Sequence, residues 1–310
     1  MTTPASPSLR DRFRGSLLGL AAGDALGTAV EFAAPGSFTP VTTITGGGPF
    51  RLPRGAWTDD TSLALCLAES LVESEATDGW DPLDQMQRYV RWWRHGHLSS
   101  TGRCFDIGGT TSTALARFER TGEPFAGPTH RLSAGNGSIM RLAPVPLRFH
   151  RNQAEAVARS AESSRTTHGA AVAVDACRLL GALVAAAASG VAKDELLASG
   201  FFAGAETPEV AAIAAGSFRE LQPPAIRGSG YAAASLEAAL WALHHSTSFE
   251  QGALLAVNLG DDADTTGAVY GQLAGALDGA AGIPAAWLGV LVGRELITGL
   301  ADRLHDRAVA

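Results

Sequence analysis

Apolar residues recur three or four positions apart along almost the whole chain, the period of a helix with one buried face. The pattern predicts helices over 9–30, 60–75, 81–95, 109–120, 152–163, 169–189, 193–200, 207–216, 231–245, 249–258, 265–279 and 284–304. Only Val41 to Thr45 reads as a strand, and the Pro- and Gly-rich stretches 35–55, 121–137 and 222–230 read as loops. No internal repeat, low-complexity tail or linker breaks the pattern. The simplest organisation is therefore a single all-α domain over 1–310, with residues 1–8 as a flexible lead-in.

Glycines add a second pattern inside the first. Gly15, Gly19, Gly23 and Gly27 recur every four residues in the first helix, and Gly267, Gly271, Gly275 and Gly279 do so near the chain's end. Each glycine inside a helix costs about 1 kcal/mol relative to Ala, so the repetition needs a reason. A smooth ridge that admits another helix backbone at close range supplies one. Both helices are expected to be central and tightly packed, and the two ridges could face each other.

Two acidic clusters interrupt the apolar periodicity, each at a predicted helix start. The first is Trp57-Thr58-Asp59-Asp60-Thr61 and the second is Gly260-Asp261-Asp262-Ala263-Asp264-Thr265-Thr266. One Asp or Thr at such a place caps free N–H groups and suits the helix dipole. Two or three carboxylates at one helix start repel each other beyond what capping needs. If the clusters meet in space, their hard oxygen ligands suit Mg²⁺ or Mn²⁺ and their number suits two cations.

Composition narrows the field. Hydrophobic residues make up 46% and charged ones 18%, a globular balance with enough apolar surface for a large core. A net charge of −7 argues against a nucleic-acid backbone as the main partner. Cys66, Cys104 and Cys177 are odd in number and lack CxxC spacing, so neither a disulfide framework nor a zinc site is expected. That usage fits the reducing cytoplasm. The stretch 170–192 is very apolar, but Asp175 and Arg178 interrupt it, and it reads as a buried core helix and not a membrane span. Arg10, Arg12 and Arg14 ahead of the first glycine ridge mimic a short signal peptide, yet Asp24 and the continuing period fit a domain's first helix better.

Other polar residues stand in unusual company. Glu31 closes the first helix just before Phe32 and could be solvated or lean over a metal site. Gly135-Asn136-Gly137-Ser138 offers bare backbone N–H groups of the kind that cradle phosphate, or an ordinary turn. Asp106 lies in a loop crowded with Gly, and His168 precedes the most apolar helix, where a structural role is the commoner one.

The ridge from Gly15 to Gly27 with Glu31, the cluster at 57–61, the run Gly135 to Arg141 and the run Asn258 to Gly267 together resemble the ADP-ribosylglycohydrolase family. The resemblance runs in order from about residue 10 to 300, and the two acidic motifs are its most specific part. It implies an all-α fold, a single compact orthogonal multi-helix bundle with a binuclear metal cleft for two divalent cations, Mg²⁺ or Mn²⁺, that releases ADP-ribose from modified side chains or related conjugates. Position by position it implies metal ligation by Thr58, Asp59, Asp60, Asp262, Asp264 and Thr265, with Asp261 behind them where many relatives carry Gly. Glu31, Asp60 and Asp264 would be catalytic. Asp106, Gly135, Asn136, Gly137, Ser138 and His168 would bind substrate, Asp106 pairing with a guanidinium. Phe105 or Tyr231 could hold the adenine.

The expected reaction is metal-dependent hydrolysis of the bond joining ADP-ribose to a protein side chain, arginine above all, by a monomer that needs no membrane. Serine-linked ADP-ribose, O-acetyl-ADP-ribose and ADP-ribosylated nucleic acid are alternative substrates, and a silent ADP-ribose binder is an alternative role. A helical metal-dependent phosphohydrolase is a further alternative, weakened because no adjacent His-Asp pair occurs.

Overall fold

The computed structural model describes residues 6–74, 76 and 79–310. Its α-helices in chain order are α1 Leu9–Gly27, α2 Asp59–Glu73, α3 Pro82–His95, α4 Gly109–Thr121, α5 Pro144–Arg148, α6 Gln153–Thr167 and α7 Ala171–Ala188. They continue as α8 Lys193–Leu196, α9 Pro208–Ala215, α10 Ala232–His244, α11 Phe249–Val257, α12 Ala263–Asp278, α13 Ala285–Leu288 and α14 Arg294–Val309. No strand occurs among the described residues, only the isolated bridges Gly47–Leu52 and Gly135–Tyr231.

The glycine ridges form the axis of the fold. α1 and α12 run antiparallel with their backbones in contact. A Cβ on Gly15, Gly19 or Gly23 would lie 2.2, 2.3 or 2.0 Å from the carbonyl oxygen of Gly275, Gly271 or Gly267 respectively. Any larger residue would hold the helices apart. The seam also aligns the end of α1 with the start of α12, since a Cβ on Gly27 would lie 2.4 Å from Asp264 Cα. A continuous apolar core surrounds this pair, reaching from Phe13 to Ala308. α7, whose length and composition would suit a membrane span, is 83% buried inside it.

Two expectations about local structure need correction, and one short helix went unpredicted. Val41 to Thr45 is not a strand: the Asn258 amide accepts from Val41 N–H at 2.7 Å and donates to Val41 O at 3.0 Å, so a side chain satisfies the backbone groups a neighbouring strand would take. The predicted helix 284–304 is two helices, parted by a turn in which Gly293 adopts φ 68°. α5, short and carrying Pro144 and Pro146, had too few residues to show a period. Of the anticipated flexible lead-in, residues 1–5 lie outside the described residues, and Ser8 caps α1 by accepting from Asp11 N–H.

Candidate active site

The seam brings the two acidic clusters together. Thr58 Oγ1 donates to Asp264 Oδ2 at 3.1 Å, and Thr265 Oγ1 donates to Asp60 Oδ1 at 3.3 Å. Capping does not explain either cluster, because neither Thr58 nor Asp262 makes a side-chain cap bond to its own helix. The α2 cap comes from α1 instead. Asp24, fully buried, accepts from Thr58 N–H at 2.9 Å, Thr61 N–H at 3.1 Å and Thr61 Oγ1 at 2.6 Å. That arrangement frees the carboxylates of Asp59 and Asp60 to face a cavity of about 260 Å³, which Glu31, Asp106, Asp262 and Asp264 also line. The N-termini of α2 and α12 both point there, and their partial positive ends favour the negative charge.

So many buried carboxylates cannot all ionise unaided. Burial, then mutual repulsion, pushes Asp59, Asp60 and Asp264 well above the usual carboxylate range. Burial raises Glu31 to about 9, Asp106 to about 7 and Asp24 to about 6. Glu31 Oε2, Asp60 Oδ2 and Asp264 Oδ1 are buried and receive no hydrogen bond from the protein. Glu31, Asp106 and Asp264 each bring an oxygen within 4.8 Å of the others. Unsatisfied anionic oxygens at this density are what a hard divalent cation neutralises, so the residues present fit such an ion.

The opposite wall is built around Arg141. Its buried guanidinium donates to Gly137 O at 2.7 Å, to Thr167 Oγ1 at 2.7 Å and to Tyr89 OH at 3.1 Å, fixing the loop 135–138 against α3 and α6. The Gly137 and Ser138 N–H groups donate to no protein acceptor among the described residues. Asn136 Nδ2 donates to Asp262 Oδ2 at 2.8 Å, linking loop and carboxylates. His168 is held at Nδ1 by Thr167 Oγ1 at 2.9 Å, and burial lowers its pKa to about 3, so the ring is neutral. It packs so closely on the loop that a Cβ on Gly137 would lie 2.8 Å from its Cε1. Gly135, Asn136, Gly137 and His168 all line the cavity, as does Thr265. The Thr58 hydroxyl is turned to Asp24 and Asp264, and the Ser138 hydroxyl to Ser164 and Cys177.

A model of the ADP-ribosylglycohydrolase family matches residues 5–310. The chain belongs to that family. Its similarity to ADP-ribosylarginine hydrolase Tri1 of Pseudomonas putida is 44% identity over 298 residues, 96% of this chain and 79% of that protein. With ADP-ribosyl-[dinitrogen reductase] glycohydrolase of Rhodospirillum rubrum the figures are 32% over 289 residues, 92% of each. A solved structure described as an ADP-ribosylglycohydrolase-related protein complex superposes with a TM-score of 0.86 at 45% identity, covering 97% of this chain and 99% of that one.

The sequence marked both acidic clusters of this ADP-ribosylglycohydrolase as unusual but not what positions them. Asp24 was legible only as an anomaly, a carboxylate between Gly23 and Ala25 on an otherwise apolar ridge. Arg141 gave a similar signal, a lone cation between Met140 and Leu142. Phe32 and Thr111 also line the cavity and left no signal of their own.

Proposed function

We propose that this protein hydrolyses the bond joining ADP-ribose to an arginine side chain, releasing intact ADP-ribose. The observation that carries the proposal is the meeting of the two acidic clusters, Thr58 on Asp264 and Thr265 on Asp60, with three orphaned carboxylate oxygens beside them. The names of the Tri1 relatives support arginine as the linkage.

Thr58, Asp59, Asp60, Asp262, Asp264 and Thr265 would hold two divalent cations, Mg²⁺ or Mn²⁺. When bound, the cations supply charge that polarises ribose hydroxyls and eases deprotonation of water. The chain's own residues do the rest. Glu31 holds the ribose hydroxyl next to the bond that breaks. Asp60 or Asp264 accepts a proton from the attacking water, and that proton passes to the departing guanidine nitrogen, so the charge balances. The surrounding carboxylates stabilise the positive charge that develops on the sugar. Gly137 and Ser138 N–H groups hold the diphosphate, and neutral His168 borders it without adding charge. Asp106 pairs with the guanidinium.

The test is release of ADP-ribose from an arginine-modified protein with Mg²⁺, with Mn²⁺ and with excess chelator, the product identified by mass spectrometry. Metal-dependent appearance of intact ADP-ribose is expected, lost in Asp60→Asn and Asp264→Asn. AMP as product, or full turnover in those variants, would overturn the proposal.

A further inference from the structure

One rim of the cavity is aromatic. Phe32 lines it while remaining 64% exposed, although the ring is large and apolar. Its backbone sits at φ 61°, a region a bulky residue rarely adopts. Phe32 N–H donates to Asp261 O at 2.6 Å and Asp261 N–H donates to Ala33 O at 2.8 Å, so the backbone that carries the ring is anchored at the cavity edge. Phe50 stands 6.5 Å from Phe32 and 5.4 Å from Phe105, making a row of rings that ends beside Asp106.

The charge of the cavity says what such a ring would meet. Glu31, Asp59, Asp60, Asp106, Asp262 and Asp264 line it. Two divalent cations would neutralise only part of that set, leaving negative charge for a cationic group. A flat, weakly hydrated guanidinium both stacks on an aromatic face and pairs with carboxylates. We infer that Phe32 is the stacking platform for the leaving arginine, holding its guanidinium between the ring face and the carboxylates of Glu31 and Asp106. The inference rests on the arginine assignment above and adds the residue that discriminates it from neutral linkages.

Agmatine, a guanidinium on an alkyl stem, probes this without turnover. Its binding to the Mg²⁺- and ADP-ribose-loaded protein is measured by calorimetry for the wild type, Phe32→Leu and Phe32→Tyr. Phe32→Leu is expected to weaken agmatine by about 3- to 30-fold, the span of a cation over a ring face, with Phe32→Tyr close to wild type. ADP-ribose affinity should change less than about twofold in either variant, well under the effect on the cation. Equal agmatine binding in Phe32→Leu overturns the inference. So does a matching loss of ADP-ribose affinity, which would assign the ring to the nucleotide. Failure of the wild type to hydrolyse arginine-linked ADP-ribose would instead sink the substrate assignment, whatever agmatine does.

Discussion

Replacing Gly23 by Ala tests whether the α1–α12 seam sets stability and site geometry together. A Cβ there would lie 2.0 Å from the Gly267 carbonyl oxygen, whereas real Cβ contacts stay above 3.0 Å, so the helices must part by about 1 Å. The obstacle is backbone, and no side-chain rotation relieves it. Overpacking of this kind costs about 1–3 kcal/mol, and backbone on both sides places it at the upper end. The intrinsic gain from Ala inside a helix recovers at most about 1 kcal/mol, which leaves a net loss of about 1–2 kcal/mol. Gly299, exposed in α14 with nothing within 4 Å of its Cβ position, is the control. Gly299→Ala should stabilise by about 0.5–1 kcal/mol. Urea unfolding of both variants reads the two signs directly. The parting of the seam also carries Asp264 away from Thr58 and Asp60, so Mg²⁺ affinity should fall in Gly23→Ala and hold in Gly299→Ala. A Gly23→Ala protein as stable as the wild type would show that the close approach does not set the packing.

Asp24→Asn turns one of the two oxygens that accept from Thr58 and Thr61 into an N–H donor, and calorimetry should show divalent-cation affinity down by about 10- to 100-fold, as for losses behind other metal ligands. The metal-free protein should become less stable as pH rises. Glu31, Asp106 and Asp24 bind their protons more tightly folded than unfolded, so their contribution is full below about pH 4 and is lost through about pH 9. Thermal scans in chelator should follow that slope, and Mg²⁺ should reverse it near neutral pH. Arg141→Met leaves Gly137 O and Thr167 Oγ1 without their donor and should weaken ADP-ribose binding more than cation binding, measured by separate titrations.

The parts of this fold that showed in the sequence are those with a local signature. Glycines four apart mark one helix face, so the α1 and α12 ridges were readable as close-packing faces, and the structure pairs them with each other. Adjacent carboxylates in excess of capping marked both clusters. What escaped depends on partners distant in the chain. Asp24 holds Thr58, 34 positions later, at the start of α2, and Asn258 imitates a strand for Val41 from 217 positions away. The break between α13 and α14 escaped because apolar residues keep their spacing across the turn, while Gly293 alone changes the backbone. Asp106 was expected as a substrate contact, but nothing local in the sequence groups it with Glu31 and Asp264, which lie 75 and 158 positions away.

The antiparallel pairing of the first long helix with α12 also has a temporal side. The contacts joining the two acidic clusters span 205 and 206 positions of the chain. At about 5–20 residues per second of synthesis, the first carboxylates wait roughly 10–40 s for the second. Throughout that interval the glycine face of α1 has no mate and no cation-binding centre exists. The paired clusters therefore form in one event, when α12 docks onto an α1 made more than 200 positions earlier.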